Sequence, residues 1–415
     1  MRGPSITILG SFGGFNAGDD AILYSVSAAL RREIPDSAIR AVSSDPGRYR
    51  SDLEPLGVSV VGKSPTSRTD VPGPLEGAPL LAPLYRMRFG PRYFGPGPLA
   101  AVLRSDTVVL CGGVFHDHRL GEKRFNIMAQ WSGVLDLAAR LGVMVVPFNT
   151  GMGPLSTEEG RRMAARILSR SPFVSLREPE GAAVLEEAGV EAPVYCGADP
   201  ALLDEPAGGE RAREILGRAG IPRNARLIGV NLCSYLDRWT DTGGSVSPED
   251  LVRSVSEAVS AVVDAQPVVF CTNCADEDLS ARLAAALGDR TPLLTGLDHH
   301  ELLSAAGSLE MMLGMRLHAC VFAAAAGVPA MGLDYAPKVR SFLRLAGLGE
   351  EAVPVDRKGL AGLPGLLSSA WARRDELRAR VRERLPGLRE RAGFPAVMIG
   401  RLLRGEEPGG GEWFS

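Results

Sequence analysis

The chain has 415 residues, and this length predicts two domains of roughly 200 residues, each with its own core. Its 46 Lys and Arg residues against 49 Asp and Glu residues give a net charge of −3, so no global positive charge favours nucleic acid as a partner. The six cysteines stand singly or in apolar runs, as expected for reduced thiols rather than a disulfide framework. We find no secretory leader or membrane-spanning segment and therefore expect a cytoplasmic protein.

Short β-branched strands alternate with helices in the first half of the chain. The run 5–9 predicts a strand that ends at a glycine turn, and the apolar spacing over 21–30 predicts a helix. Further strands are predicted at 107–111 and 143–148, with a helix over 131–141 between them. Apolar strands that alternate with helices predict a parallel, doubly wound sheet.

The second half repeats this alternation after a stretch rich in Gly, Pro, Glu and Arg over 202–224. Its strands are predicted at 227–232, 268–271, 292–294, 309–313 and 330–333. We therefore expect an N-terminal Rossmann-like domain at 1–204, a C-terminal Rossmann-like domain at 205–385, a C-terminal helix at 386–404 and a disordered tail at 405–415.

Doubly wound sheets bind their ligands beyond the carboxyl ends of the strands. With two such domains in one chain, the predicted fold is a GT-B-like α/β architecture in which the domains face each other across a cleft. We therefore expect site residues from both halves of the sequence.

A glycine-rich turn follows the first predicted strand and runs from Gly10 to Asp20. It lacks the Rossmann spacing of glycines because Phe12 occupies the place of the second one, and no P-loop lysine follows. Asp19 stands at the predicted helix start, where a carboxylate would repel a pyrophosphate. A tight turn capped by Asp remains an alternative, and Asp45 after the next predicted strand keeps a nicotinamide site open as another.

Seven short motifs between residues 10 and 340 together resemble those of polysaccharide pyruvyl transferases. They are Asn16-Ala17-Gly18-Asp19 with Ala21-Ile22-Leu23, Gly112-Gly113 with Asp117, Gly151-Met152-Gly153-Pro154, Ser175-Leu176-Arg177-Glu178, Ala198-Asp199-Pro200, Met315-Arg316-Leu317-His318-Ala319 and Asp334-Tyr335-Ala336-Pro337-Lys338-Val339. Each is weak alone, but their shared order makes the resemblance specific. It implies a transferase of polysaccharide or cell-wall biosynthesis that moves a pyruvyl group from phosphoenolpyruvate onto sugar hydroxyls as a ketal.

The sequence departs from the usual pattern of this family at three places. Cys111 stands where a third glycine is usual, and Asn149-Thr150 replaces a Gly-Gln-like pair. Pro179-Glu180-Gly181 replaces an acidic residue followed by Ser. None of these changes removes a catalytic group that the resemblance implies.

Arg316 and His318 follow an apolar predicted strand and precede the helix-forming run 319–326. A helix N-terminus binds anions, and guanidinium groups bind carboxylates and phosphates bidentately. Arg177, at the end of the predicted strand 173–176, is the corresponding candidate in the first half. The residues alone leave open a surface salt bridge for Arg316 and an ordinary helix-start position for His318.

The resemblance assigns roles to these residues. It implies that Arg177 and Arg316 bind phosphoenolpyruvate. It also implies that Leu317 contributes its backbone N–H and that His318 is the general acid. Candidates for acceptor binding or loop organisation are Asn16, Asp19, Gly113, Asp117, Gly153 and Lys338. Because an acid and an anion site suffice for ketal formation, we expect neither a cofactor nor a metal ion.

The remaining histidines and one cysteine pair have structural explanations. Asp298-His299-His300-Glu301 is predicted to be a helix capping box, with His300 lining the cleft as the alternative. His116-Asp117-His118 offers metal-ligand types, but we favour Asp117 as a loop organiser and keep ligand contact by His116 or His118 as the alternative. Cys271-Thr272-Asn273-Cys274 lacks the second ligand pair of a zinc site.

Aromatic residues and arginines are interleaved over residues 81–104, a mixture that suits the surface of an anionic membrane. Peripheral contact with the inner face of the membrane would serve a polyprenyl-linked saccharide acceptor. A Pro-rich excursion packed on the domain is the alternative.

Two other functions fit the same predicted architecture. One is a GT-B glycosyltransferase that uses a nucleotide sugar, because fold does not fix function. The other is a noncatalytic, sugar-binding relative. The presence of Arg177, Arg316 and His318 argues against the noncatalytic alternative.

Overall fold

The computed structural model describes residues 3–63, 96–118, 120, 126–234, 246–288 and 290–406. Contacts divide the chain into two compact units. The first comprises Met1–Gly14, Ile22–Gly197 and Gly393–Ser415, and the second comprises Phe15–Ala21 and Ala198–Ala392. Residues 15–21 were predicted to belong to the N-terminal domain, but their contacts group them with the second unit.

A five-stranded parallel sheet in the order β3-β2-β1-β4-β5 forms the centre of the first unit. Strands β6 and β7 form a separate parallel pair. In chain order, the elements up to β7 are β1 (Ser5–Leu9), α1 (Ala17–Glu33), β2 (Ala38–Ser43), α2 (Arg50–Leu53), β3 (Val58–Gly62), α3 (Pro96–Leu103), β4 (Thr107–Leu110), α4 (Ile127–Arg140), β5 (Met144–Pro147), α5 (Glu158–Leu168), β6 (Val174–Leu176), α6 (Gly181–Glu187) and β7 (Val194–Cys196).

Helix α4 illustrates how the sequence builds the core of this unit. Asn126 caps the helix by accepting a hydrogen bond from the backbone N–H of Ala129 at 2.8 Å. Trp131 and Leu135, one helical turn apart, are buried in the same apolar cluster as Leu110 of β4. Each such side chain contributes about 1.5–3 kcal/mol when it is fully buried, so this face of the helix fixes its position on the sheet.

The second unit contains a six-stranded parallel sheet in the order β10-β9-β8-β11-β12-β13. The elements after β7 are α7 (Gly209–Arg218), β8 (Leu227–Asn231), α8 (Pro248–Ser260), β9 (Gln266–Phe270), α9 (Glu277–Leu287), β10 (Leu293–Leu294), α10 (His299–Ala306), β11 (Leu309–Gly314), α11 (Leu317–Ala325), β12 (Ala330–Asp334), α12 (Pro337–Leu345), β13 (Ala352–Pro354), α13 (Arg357–Ala372) and α14 (Arg374–Leu403). The part of α14 from Gly393 onwards groups with the first unit. Short 3₁₀ helices lie at Pro200–Leu203, Cys274–Asp276 and Gly349–Glu351.

Both main sheets have the doubly wound strand order of Rossmann-like folds. In each, the first strand is hydrogen-bonded to the second on one side and to the fourth on the other, so the direction of winding reverses between the first and fourth strands. The predicted class, α/β with Rossmann-like parallel sheets, is confirmed. In the second unit the reversal lies between β8 and β11, where such folds bind ligands at the carboxyl ends of the strands.

No helix in the part of the chain that the structure describes is both long and apolar enough to cross a membrane. Of the segment predicted to touch a membrane, residues 81–95 lie outside the described residues. Residues 96–103 form α3, in which Pro98, Ala101 and Val102 are buried. Most of the predicted tail, residues 407–415, also lies outside the described residues.

Candidate active site

Arg316 lies where β11 meets α11, beside the carboxyl end of β8. Its backbone N–H donates a hydrogen bond to Oδ1 of Asn231, the last residue of β8, at 2.9 Å. The N–H of Met315 donates to the carbonyl oxygen of Asn231 at 3.0 Å. The buried amide of Asn231 also donates to the carbonyl of Phe270 at 2.8 Å. One asparagine therefore ties together the ends of β8, β9 and β11.

The guanidinium group of Arg316 forms a bidentate ion pair with Asp276. Nε lies 2.7 Å from Oδ2 and Nη2 lies 2.9 Å from Oδ1. Asp276 is fully buried, and its Oδ1 also accepts hydrogen bonds from the N–H and hydroxyl of Ser234 at 2.9 and 2.8 Å. The Arg316 side chain remains 13% exposed, so part of the cation is accessible to an anion.

Two opposing effects act on the pKa of Arg316. Burial by itself lowers it, because a charged group is less stable away from water. The hydrogen bonds and negative charge of Asp276 outweigh this effect, so the pKa of Arg316 is raised. The guanidinium group therefore stays protonated throughout the accessible pH range.

His318 lies in the first turn of α11 and is only 8% exposed. Its imidazole packs directly against the backbone of Gly18, since a Cβ atom at Gly18 would overlap Nδ1 and Cγ of the ring. On another side, Nε2 lies 3.5 Å from Oδ2 of Asp199, a buried residue. The imidazole is therefore confined between a glycine and a carboxylate.

The segment Phe15–Ala21 pairs with the loop that follows β9 in the same unit. Asn16 and Asn273 form an isolated antiparallel bridge. The N–H of Ala17 donates to the carbonyl of Thr272 at 2.9 Å. These backbone hydrogen bonds bring the start of α1 to the loops at the carboxyl end of the six-stranded sheet.

Asn16 and Asp19 shape the turn that presents Gly18 to His318. Oδ1 of Asn16 accepts a hydrogen bond from the N–H of Gly18 at 3.2 Å, and Nδ2 donates to Oδ2 of Asp19 at 3.0 Å. Asparagine suits this position because its short side chain can bond to nearby backbone groups. The contacts place both residues in the turn that supports the imidazole.

Leu317 and Lys338 lie at neighbouring helix starts. Leu317 is the first residue of α11, and the N–H groups of a first helical turn have no acceptor within the helix. Lys338 lies in the first turn of α12, with Nζ 5.5 Å from the centre of the Tyr335 ring. Burial raises the pKa of Tyr335, so its hydroxyl stays neutral. The ammonium group of Lys338 therefore adds positive charge at the start of α12.

Arg177 belongs to the first unit and directly follows β6. Its Nε donates to Oε1 of Glu178 at 2.7 Å, and its backbone N–H donates to the carbonyl of Thr150 at 3.3 Å. A Cβ atom at Gly151 would come within 2.6 Å of Nη2. Arg177 is thus a 7% exposed, ion-paired arginine that packs against a glycine.

Asn149 explains one departure from the family pattern. Its φ of +44° lies in the left-handed region, which favours glycine and, among other residues, tolerates asparagine best. The hydroxyl of Ser175 hydrogen-bonds to Oδ1 of Asn149. Asn149 therefore occupies a backbone conformation that a glycine would also adopt readily.

The central glycine motif lies beyond β4. Gly113 is exposed, and a Cβ atom there would meet no atom within 4 Å. The N–H of Gly153 donates to the carbonyl of Phe115 at 2.8 Å. Oδ2 of Asp117 accepts a hydrogen bond from the N–H of Thr157, the N-cap of α5, at 2.6 Å. These contacts link the two loops that follow β4 and β5.

His116 and His118 flank Asp117, and their ring centres lie 6.4 Å apart. The amide of Asn126 donates to the carbonyl groups of His116 and His118 at 2.8 and 3.0 Å.

In the second unit, Sγ of Cys271 lies 3.2 Å from the carbonyl oxygen of Asn273, and Cys274 is exposed.

Two carboxylates were given no role from the sequence: Asp276, which pairs with Arg316, and Asp199, which lies beside His318. Asp199 belongs to the Ala198-Asp199-Pro200 motif, so the resemblance contained a signal for it. Asp276 has no comparable signal, because it lies outside all seven motifs. Its contact with Arg316 depends on the pairing of strands rather than on local sequence.

Solved structures with the same fold cover nearly the whole chain. A putative UDP-N-acetylglucosamine 2-epimerase from Listeria monocytogenes is 14% identical with a TM-score of 0.61, covering 98% of this chain and 99% of that one. Anabaena HepE in complex with UDP and glucose is 12% identical with a TM-score of 0.59, covering 97% and 100%. The calicheamicin glycosyltransferase CalG4 is 15% identical with a TM-score of 0.52, covering 98% and 99%.

These likenesses define the fold class, since identities this low carry no information about substrate. The chain has the GT-B fold, as the sequence predicted. The family model for polysaccharide pyruvyl transferase matches residues 16–337, which extend from the Asn16 turn to the start of α12. The chain therefore belongs to the polysaccharide pyruvyl transferase family and is an enzyme. No curated protein matches it in sequence.

Proposed function

We propose that this enzyme transfers a pyruvyl group from phosphoenolpyruvate to two hydroxyls of a saccharide, forming a cyclic ketal. The observation that carries the proposal is the position of His318. Its buried imidazole lies between Gly18 and Asp199 in the first turn of a helix whose N-cap is the cation Arg316. An acid beside an anion-binding helix start is what this reaction requires.

Phosphoenolpyruvate carries a carboxylate and a phosphate, and the second unit offers several groups that suit them. The first N–H groups of α11 and the ammonium of Lys338 supply positive charge. Asp276 offsets the charge of Arg316 but also holds its guanidinium plane in one orientation. We therefore expect Arg316 to contribute directed hydrogen bonds more than net charge.

In the proposed reaction, the His318 imidazolium delivers a proton to the methylene carbon of phosphoenolpyruvate. This carbon becomes a methyl group, and C2 gains oxocarbenium character. One sugar hydroxyl adds to C2 and returns a proton to the imidazole. The second hydroxyl then adds to C2 as the C2–O bond to phosphate breaks, and its proton leaves with the phosphate. Asp199, 3.5 Å from Nε2, orients the ring and offers the negative charge that an imidazolium needs.

The acceptor is proposed to be a saccharide, as the family implies, and a polyprenyl-linked saccharide is the alternative to a free chain. The family resemblance also gives Arg177 a part in binding phosphoenolpyruvate. Its ion pair with Glu178 holds the guanidinium in place, as Asp276 does for Arg316. The variants below test this role separately from that of Arg316.

The deciding experiment is calorimetric titration with phosphoenolpyruvate beside a panel of nucleotide sugars. Removal of one charge-assisted hydrogen bond costs about 1.5–3 kcal/mol, so Arg316→Ala and Arg177→Ala should each weaken binding roughly 10 to 150-fold. Arg282→Ala, which changes an exposed arginine paired with Glu249, is the matched control and should bind normally. Binding of a nucleotide sugar alone would favour a glycosyltransferase instead.

The same titration separates binding from chemistry at His318. His318→Ala should keep phosphoenolpyruvate affinity within several-fold while turnover falls roughly 10² to 10⁴-fold, the range expected for a lost general acid. His318→Gln can donate a hydrogen bond but cannot supply a proton, so it should be nearly as inactive. Near-normal turnover of the Gln variant would make His318 a binding group and direct the search for the acid to His300 or His116.

A further inference from the structure

Three potential metal ligands converge in the second unit, apart from the residues assigned to phosphoenolpyruvate. Ligand atoms of Asp204, His299 and His300 all lie within 4.8 Å of one another. Nδ1 of His300 is 3.1 Å and Nε2 of His299 is 3.8 Å from Oδ2 of Asp204. Two imidazole nitrogens therefore approach one carboxylate oxygen.

One oxygen of the Asp204 carboxylate accepts a hydrogen bond, and the other does not. Oδ1 accepts a hydrogen bond from the N–H of Glu205 at 2.9 Å. Oδ2 is buried and accepts no hydrogen bond from the residues that the structure describes, since the nearby His300 nitrogen lies outside hydrogen-bond geometry. A buried carboxylate oxygen in this state is costly. A bound cation would satisfy it.

The two histidines are held by a rigid helix start. Oδ1 of Asp298 accepts from the N–H of Glu301 at 2.8 Å, and Oε2 of Glu301 accepts from the N–H of Asp298 at 3.2 Å. This is the capping box that the sequence predicts. The hydroxyl of Ser304 further donates to the carbonyl of His300 at 2.7 Å. The imidazoles thus project from fixed backbone positions.

We propose that Asp204, His299 and His300 bind a divalent transition-metal ion of the zinc type. Metal–ligand distances of about 2.0–2.2 Å in a tetrahedral site place ligand atoms roughly 3.3–3.6 Å apart. This lies between the 3.1 and 3.8 Å that separate Oδ2 of Asp204 from the two imidazole nitrogens. Two imidazole nitrogens favour zinc-type ions over Mg²⁺ or Ca²⁺, which prefer oxygen ligands. His300 is 31% exposed, so water can reach the fourth coordination position.

The proposed ion has a structural role that follows from the chain around Asp204. Asp204 ends the 3₁₀ helix Pro200–Leu203, and Asp199 caps the start of that helix while it faces His318. An ion shared with His299 and His300 would fasten this short helix to the start of α10. The site is independent of phosphoenolpyruvate, and the sequence-based expectation of no metal ion did not consider Asp204.

The test is titration of chelator-treated, full-length protein with ZnCl₂ and, separately, with CoCl₂ monitored by absorption. Wild-type protein should bind one equivalent and unfold at a higher temperature with the ion than without it. Asp204→Asn and His300→Ala should lose more affinity than the 10–100-fold that follows loss of an outer-sphere partner. His116→Ala, which changes a histidine of the first unit, is the matched control and should bind as wild type.

Three outcomes would overturn the proposal. They are the absence of binding to wild-type protein, equal affinity in wild-type, Asp204→Asn and His300→Ala proteins, and a thiolate-to-cobalt charge-transfer band, which would assign the ion to cysteines. Far-ultraviolet circular dichroism establishes that the variants are folded. His300→Ala changes the most exposed ligand and is the variant least able to disturb the fold.

Discussion

At the scale of single residues, Gly18 is the point where the N-terminal motif meets the proposed acid. Its missing side chain leaves the space that the His318 imidazole occupies. Gly18→Ala should therefore displace the ring and lower turnover towards the level of His318→Ala. The clash involves ring atoms rather than a flexible chain end, so local adjustment cannot remove it cheaply. Steady-state kinetics measures the turnover of the variant, and thermal unfolding measures its stability.

Gly217→Ala is the control for this prediction. Gly217 lies in helix α7 of the same unit, and a Cβ atom there would meet nothing within 4 Å. Alanine at a helical position of this kind stabilises by about 0.5–1 kcal/mol. Turnover should be normal in this variant. Normal turnover of Gly18→Ala as well would show that the contact with His318 has no part in the reaction.

Sequence reasoning identified His318 and Arg316 through the family motifs but not the carboxylates opposite them. A motif records neighbours along the chain, whereas Asp199 and Asp276 reach their partners through the fold. The Asn149 backbone was equally hidden, because a positive φ at a residue other than glycine depends on its surroundings. Residue types thus led to the proposed chemistry, whereas the contacts around the proposed residues depend on tertiary structure.

At the scale of elements, apolar periodicity located the predicted strands well and the starts of helices less well, and it gave no prediction for β3, β7 or β13. Strand β1 occupies the predicted residues 5–9. Helix α1 begins at Ala17, four residues before the predicted start, because the Asn16 turn begins the helix ahead of its apolar stripe. Strand β9 begins at Gln266, two residues early, since Pro267 obscured its start. Caps and prolines set these boundaries, and periodicity does not detect them.

Helix α11 also determines how its cysteine should react. Cys320 is completely buried, and this burial raises the pKa of its thiol to about 12. Only about 10⁻⁴ of such a thiol is ionised at pH 8, and the thiolate is the reactive form. Iodoacetamide should therefore modify Cys274, which is exposed, long before Cys320. Mass spectrometry of the native protein over time checks this order.

Unfolding in denaturant is the control for cysteine reactivity, because it should make Cys320 react like the other thiols. Equal alkylation of Cys274 and Cys320 at pH 8 in native protein would contradict the burial described for α11.

At the scale of the whole molecule, attachment to a membrane surface remains a prediction from residues 81–104. Aromatic side chains and arginines in this segment should bind anionic lipid vesicles weakly. Salt should release the protein because it screens the attraction between the arginines and the anionic lipid. Co-sedimentation with anionic and neutral vesicles at low and high salt measures this binding. Replacing Arg86, Arg88 and Arg92 with Ser should abolish binding to the anionic vesicles. Equal sedimentation with both vesicle types, or none with either, would contradict the prediction.

The pairing of Asn16 with Asn273 has a consequence for the order in which the enzyme matures on the ribosome. The Asn16 turn leaves the ribosome about 300 residues before His318, a delay of roughly 15–60 s at ordinary rates of synthesis. Throughout that interval Gly18 has no imidazole to contact. Strands β1 and β2, by contrast, are both available to pair with each other. The nascent chain therefore carries the Asn16 turn without its partner, and the contact between Gly18 and the proposed acid cannot form until residue 318 has been made.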